Sequence, residues 1–262
     1  MAEHARNALA NARILITRPA EQSLELANAI RHAGGTPVLF PVLEIVPRAT
    51  HDILADADRL PDADLAVFVS PNAVRFGMPF GQAPDIAAIG PATARAIEAA
   101  GFATTVRPAV GFDSESLLLE PALVNVAGKH IRIIRGTSGR NLLGDTLRER
   151  GATVDYLATY TRRRPVIAAS EMQELVDLLA TGGLCAIIIM SVDSLRNFLA
   201  MLPADSLTSM NQVLLVTPAR RVIKEAEDAM PLLRTVQAHG TDAIAIVDAI
   251  IETLKTDSGK TP

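Results

Sequence analysis

Arg13-Ile-Leu-Ile-Thr-Arg18 and His130-Ile-Arg-Ile-Ile-Arg135 are two versions of one stretch within a single chain. Each is a short aliphatic run ending in Arg, the length of a buried strand. A membrane span needs roughly 20 apolar residues. The surroundings repeat as well. A Leu-rich helical pattern follows each copy, then a Gly and a second strand, with Gly35-Thr-Pro-Val38 set against Gly151-Ala-Thr-Val154. Phe68-Val-Ser-Pro-Asn-Ala-Val74 matches Ile189-Met-Ser-Val-Asp-Ser-Leu195, and Ile89-Gly-Pro-Ala-Thr-Ala94 matches Val216-Thr-Pro-Ala-Arg-Arg221. Both copies close on a short strand, Thr105-Val-Arg or Thr235-Val-Gln. Four features in one order make two related halves, each too long for a solenoid unit.

Short β-branched runs also stand at Val38–Phe40, Leu65–Val69, Ile86–Ile89, Ala186–Met190 and Val213–Val216, most of them followed by a helical period. Strands apolar on both faces and alternating with helices mean parallel sheets covered by helices. The fold class is therefore α/β. Pro41 to Arg48 and Tyr156 to Pro165 are extended, Pro-flanked and just outside the recurrent units, so they read as connectors.

The whole chain has 262 residues, 49% hydrophobic, with a net charge of −4. That is enough for two modest cores. The mild acidity argues against a nucleic-acid partner, and 3% aromatics with no Trp leaves no base-stacking platform. Apolar runs near six residues, such as Cys185–Met190, argue against a membrane partner, and Met1–Arg13 lacks the apolar core of a secretory signal. The single cysteine, Cys185, suits the cytoplasm and reads as a buried core thiol. The basic residues are 21 Arg against 4 Lys. Base composition accounts for that bias, and only Arg residues at element ends invite a functional reading.

No glycine-rich dinucleotide loop, Walker loop or nucleophile elbow is present, and the five His residues have no ligand spacing, so no metal or cofactor is implied. What remains is a set of strand-to-helix turns: Thr17-Arg18-Pro19, Ser70-Pro71-Asn72, Gly90-Pro91-Ala92-Thr93, Arg135-Gly136-Thr137-Ser138-Gly139, Ser191 to Ser194, and Thr217-Pro218. Plain helix capping accounts for any one of them. Six turns over two halves, some carrying Arg, point to an anion-binding cleft between lobes, because helix starts present free N–H groups at the strand C-termini.

Phe68-Val-Ser-Pro-Asn-Ala-Val74, Ala88-Ile-Gly-Pro-Ala-Thr-Ala94, Ile133-Ile-Arg-Gly136 with Gly139-Arg140, Leu147, Arg150-Gly-Ala152 and Ala158-Thr-Tyr160 together resemble uroporphyrinogen-III synthase, in order, over residues 13 to 252. The second-half turns depart from that pattern at Val216-Thr-Pro-Ala-Arg and Ser191-Val-Asp. The resemblance implies two α/β lobes joined by a two-stranded linker, one lobe discontinuous: 1–40 plus 166–262 for lobe one, 50–155 for lobe two, and 41–49 with 156–165 as connecting strands. The first strand of each repeat would be exchanged between lobes.

The resemblance also implies a cofactor-independent lyase of haem biosynthesis that closes hydroxymethylbilane with inversion of its ring D and loss of water. It would act as a cytoplasmic monomer, with hand-over from the preceding pathway enzyme left open. Tyr160 is the implied acid for the leaving hydroxide. A phenol stays protonated at neutral pH but is a weak acid, so much of the catalysis would be shape. The implied substrate contacts are Arg18, Ser70, Pro71, Asn72, Gly90, Pro91, Thr93, Arg135, Gly136, Gly139, Arg140, Ser191, Ser194 and Thr217. The alternative is a non-catalytic two-lobed binding or regulatory protein of the same fold.

Overall fold

The computed structural model describes residues 7–258. Among the described residues ten strands carry the architecture: β1 (Arg13–Ile16), β2 (Thr36–Leu39), β3 (Glu44–Pro47), β4 (Leu65–Phe68), β5 (Asp85–Ala88), β6 (His130–Gly136), β7 (Thr153–Arg163), β8 (Ala186–Ile188), β9 (Leu214–Thr217) and β10 (Arg234–Gln237). They fall into two units. The first takes the chain up to Glu44 and again from Arg164, and the second runs from Ile45 to Arg163.

In the first unit the sheet order is β10-β9-β8-β1-β2, parallel throughout. Its two faces separate the alternating side chains of β1. Ile14 and Ile16 join Leu26, Ile30, Ile246 and Ile250 in one core, while Leu15 joins Leu175, Leu195, Phe198 and Leu215 in the other. In the second unit the order is β3-β7-β6-β4-β5, parallel from β7 to β5. Val67 and Ile131 pack on one face, Phe68, Ile134 and Tyr160 on the other. Cys185 is half-buried against the first core. No helix among the described residues is long and apolar enough to cross a membrane.

The repeat is visible in the register. Ile14 pairs with Ala186 and Ile16 with Ile188, as Ile131 pairs with Leu65 and Ile133 with Val67. Each sheet therefore combines the opening of one copy with the remainder of the other. The exchange involves two strands, not the one expected. β1 and β2 form a four-pair parallel ladder closed by the crossover helix Leu24–His32, so the βαβ unit moves as a block.

Three other expectations are corrected. The counterpart of Gly151 is Gly34, not Gly35: both follow a helix in the left-handed region, at φ 86° and 85°, where a side chain would be strained. The strand expected at Thr105-Val-Arg shrinks to one bridge, Ala87 to Val106. The Thr105 hydroxyl itself takes the Ile86 N–H at 2.9 Å, and Pro108 follows. The stretch 156–165 lies largely within the second sheet, because β7 pairs with β6 as far as Tyr160 and buries Leu157 and Tyr160. β3, inside 41–49, is its neighbour on the other side, with Arg48 N–H donating to Thr159 O at 3.0 Å.

Candidate functional site

Parallel strands bring their C-terminal ends to one edge of a sheet. In the second unit the order β7-β6-β4-β5 therefore sets Tyr160, the turn from Gly136 to Asn141, the Ser70 turn and the Gly90 turn side by side. The turns and helix starts at this edge carry Ser70, Pro71, Asn72, Gly90, Pro91, Arg135, Gly136, Gly139, Arg140 and Tyr160, with Thr93 in the first turn behind Gly90. The corresponding edge of the first unit holds Arg18, Ser191, Ser194 and Thr217.

Ser70 follows β4 by two residues, is extended, and caps the helix Pro71–Gly77, its Oγ accepting from Ala73 N–H at 3.0 Å. Pro71 fills the first helical position, where a missing N–H costs nothing. The same Oγ lies 3.0 Å from Tyr160 Oη. Tyr160 is a strand residue with only 1% of its surface exposed, tilted against Phe76 at 6.2 Å. Its phenol therefore reaches the edge through Ser70. Gly136 leaves room for this ring, since a Cβ there would stand 2.9 Å from Tyr160 Cε2.

Arg135 closes β6 and is 9% exposed. Its Nη1 donates to Asn141 Oδ1 at 3.1 Å and to Arg140 O at 3.4 Å, and its guanidinium stacks 4.8 Å from the centre of the Tyr156 ring. With the Gly136–Gly139 loop these groups line a pocket of about 390 Å³. Arg140 turns away to an exposed ion pair with Glu115. The Glu115 hydrogen bond pushes the guanidinium's pKa up, and Arg140 holds the Glu115 carboxyl below the usual range. Gly90 starts the helix Pro91–Ala99, with Phe112 lying over it. Thr93 is buried at 2% exposure, so its hydroxyl belongs to the helix interior and does not face the edge.

The first unit spends more of its turn groups on itself. Ser191 Oγ caps the helix Val192–Met201 through Ser194 N–H at 3.1 Å and meets Ser194 Oγ at 2.8 Å. Thr217 is fully buried inside β9, its Oγ1 accepting from Ala219 N–H at 3.2 Å. The helix start that corresponds to Gly90 is Ala219, two residues beyond the Thr217 that the sequence repeat offers, because β9 continues through Thr217. Arg18 is half-buried, and burial lowers its pKa against the opposing effect of Glu25. Among the described residues, no three His, Cys, Asp or Glu side chains gather as metal ligands do.

Sequence reasoning missed Tyr156 and Asn141, the groups that surround Arg135. The signals were there: the chain has only two tyrosines, and Asn141 stands where the next helix begins.

These features define a class: paired parallel α/β units that exchange their opening βαβ blocks and carry small, hydroxyl and arginine turns at the strand ends. A family model for uroporphyrinogen-III synthase HemD matches residues 25–243, and the chain belongs to the uroporphyrinogen-III synthase family. It is 37% identical over 158 residues to uroporphyrinogen-III synthase of Escherichia coli strain K12, and equally to that of Salmonella typhimurium strain LT2. Each match covers 57% of this chain and 64% of the relative, less than two thirds of its length. The fold is shared with a mutant uroporphyrinogen III synthase from the extremely thermophilic bacterium Thermus thermophilus, at a TM-score of 0.61 and 19% identity, over 95% of this chain and 100% of that one.

Proposed function

We propose that this chain is a uroporphyrinogen-III synthase, a cofactor-independent lyase that closes hydroxymethylbilane with inversion of ring D and loss of water. The observation that carries this reading is the family match, which runs through both units. The site geometry fits it. A linear tetrapyrrole with eight carboxylates needs local donors, since the protein's own charge is −4. Arg135, the turn amides and the Ser70 hydroxyl supply them on the second unit's edge.

The leaving hydroxide takes a proton from Ser70 Oγ, and Tyr160 Oη replaces that proton across 3.0 Å. Water leaves, the bilane is left as a cation that sheds one proton once its ring has closed, and that proton, passed through solvent, restores the phenol. The cytoplasm is the compartment of this reading, and Cys185 remains a thiol there.

The test is turnover of hydroxymethylbilane, with the uroporphyrinogen isomers resolved after oxidation. The type III isomer is expected, and type I alone, as in the protein-free control, overturns the reading. Tyr160→Phe is expected to lower kcat by about 10²-fold with KM unchanged. Full kcat in that variant removes the relay and leaves the synthase reading standing.

A further inference from the structure

Arg135 is nine-tenths buried as a residue, with no carboxylate beside its guanidinium among the described residues. Burying a charge is costly unless an opposite charge or a full set of hydrogen bonds compensates it. Here the compensation is partial and neutral: an amide oxygen from Asn141, a carbonyl from Arg140 and the face of Tyr156. All the hydrogen bonds fall on Nη1. The Nε–Nη2 edge, which can grip a carboxylate side-on with two parallel N–H donors, makes none among the described residues. Arg148 stacks on the same ring at 5.2 Å, but it donates to Asp145 Oδ1 at 3.2 Å and to Val154 O at 2.8 Å. Of the two arginines on Tyr156, Arg135 alone keeps its charge available.

Two glycines make the arrangement sterically feasible. A Cβ on Gly144 would collide with Tyr156 Oη, so the helix Leu142–Glu149 can lie against the ring only with glycine there. A Cβ on Gly139 would stand 2.7 Å from Arg135 Nη2, on the edge left free. The equivalent place in the first unit lacks the device. Leu39 pairs with Ile16 as Tyr156 pairs with Ile133, and Leu39 is exposed.

We propose that Tyr156 and Asn141 are positioning residues that hold Arg135, with its Nε–Nη2 edge open to the Gly136–Gly139 pocket, as the receptor for one carboxylate arm of the ligand. This rests on the reading of the ligand as a polycarboxylate. The ring fixes the plane of the guanidinium, and Asn141 fixes its rotation by engaging Nη1.

The experiment follows the Arg135 Nε–Hε resonance of the ¹⁵N-labelled protein, assigned by its disappearance in Arg135→Lys, during titration with uroporphyrin III. The resonance is expected to shift in the wild type and in Tyr156→Phe, which keeps the ring. Tyr156→Leu, copying the first unit, is expected to weaken binding about tenfold and to raise KM by the same factor, with kcat within about twofold. Asn141→Ala, at an exposed position that does not threaten folding, is expected to weaken binding about threefold.

An unmoved Arg135 resonance, or wild-type binding by both Tyr156→Leu and Asn141→Ala, overturns the proposal. If Tyr156→Leu does not fold, Asn141→Ala decides. A moving resonance in a protein that makes no type III product overturns the synthase reading and leaves the receptor. Type III product with a motionless Arg135 does the reverse.

Discussion

The two units share one plan and fill it differently. Each has a serine, Ser70 or Ser191, that lies two or three residues beyond an inner strand and caps the next helix through the third amide. Seven residues beyond Ser70 stands Gly77, and seven beyond Ser191 stands Phe198. Gly77 lets its helix settle onto β6 and β7, where a Cβ would collide with Ile134 Cγ2 and approach Thr159 Cγ2 at 2.9 Å. Phe198 fills the same gap with a buried ring, edge-on to Phe40 at 6.3 Å. The close approach in the second unit brings Ser70 within a hydrogen bond of a tyrosine on β7. The same strand order can thus hold its helix away from the sheet with bulk or bring it down with glycine, and the second choice builds the hydroxyl pair.

The largest expected effect breaks the first unit's solution. Phe198→Ala removes a fully buried ring that the surrounding core cannot replace, and about 3–5 kcal/mol of stability should be lost, read from urea unfolding followed by far-UV circular dichroism. Gly77→Ala tests the other solution. One methyl group between helix and sheet should cost about 1–3 kcal/mol and lift Ser70 from Tyr160, so kcat for hydroxymethylbilane should fall with it. A neutral Gly77→Ala would mean that helix approach is not what separates the units.

Much of this was legible in the chain itself. Buried parallel strands declare themselves as short aliphatic runs, and Ile131–Ile134 and Ile187–Ile189 need no partner to be recognised. The repeat was legible because strand ends and helix starts share chemistry. Its register was not, because a one-residue slip at Gly34–Gly35 and a two-residue slip at Thr217–Ala219 change little in sequence and are fixed only by ladder pairing. The site divides the same way. Ser70, Gly90, Gly136 and Arg135 stand in turns that any helix start would display. Tyr156 lies in the middle of a strand, and only the approach of Arg135 and Arg148 from other parts of the chain gives it a role. The burial of Tyr160 and Thr93 likewise depends on neighbours distant in sequence.

Gly139→Ala gives a smaller effect and sharpens the contrast around the arginines. The residue sits at φ 152°, where a side chain is strained, and its Cβ would press on Arg135 Nη2. Stability should fall by about 1 kcal/mol, and KM for hydroxymethylbilane should rise several-fold, measured by initial rates beside thermal unfolding. An unchanged KM would show that the Nη2 edge is not used.

The smallest expected effect concerns two solvent-facing ion pairs, one taken from each unit. Arg140 holds the Glu115 carboxyl below its usual range by hydrogen bonding to it, and Arg196 does the same to Glu225. A carboxyl depressed in the folded state stabilises the protein above its unfolded pKa, near 4.3, and loses that contribution as pH falls through the folded value. Glu115→Gln and Glu225→Gln should therefore each flatten the acid limb of a stability profile between about pH 5 and pH 3. The change at neutral pH should be too small to resolve, because both pairs lie in solvent. They should differ in turnover. Arg140 follows the Gly136–Gly139 loop, so releasing it from Glu115 adds a free guanidinium beside the pocket and should lower KM about twofold. Arg196 lies within the helix Val192–Met201, paired with Glu225 across to the next helix, and its release should leave KM unchanged. Equal KM values in the two variants would remove Arg140 from the ligand contacts and leave Arg135 as the arginine of that edge.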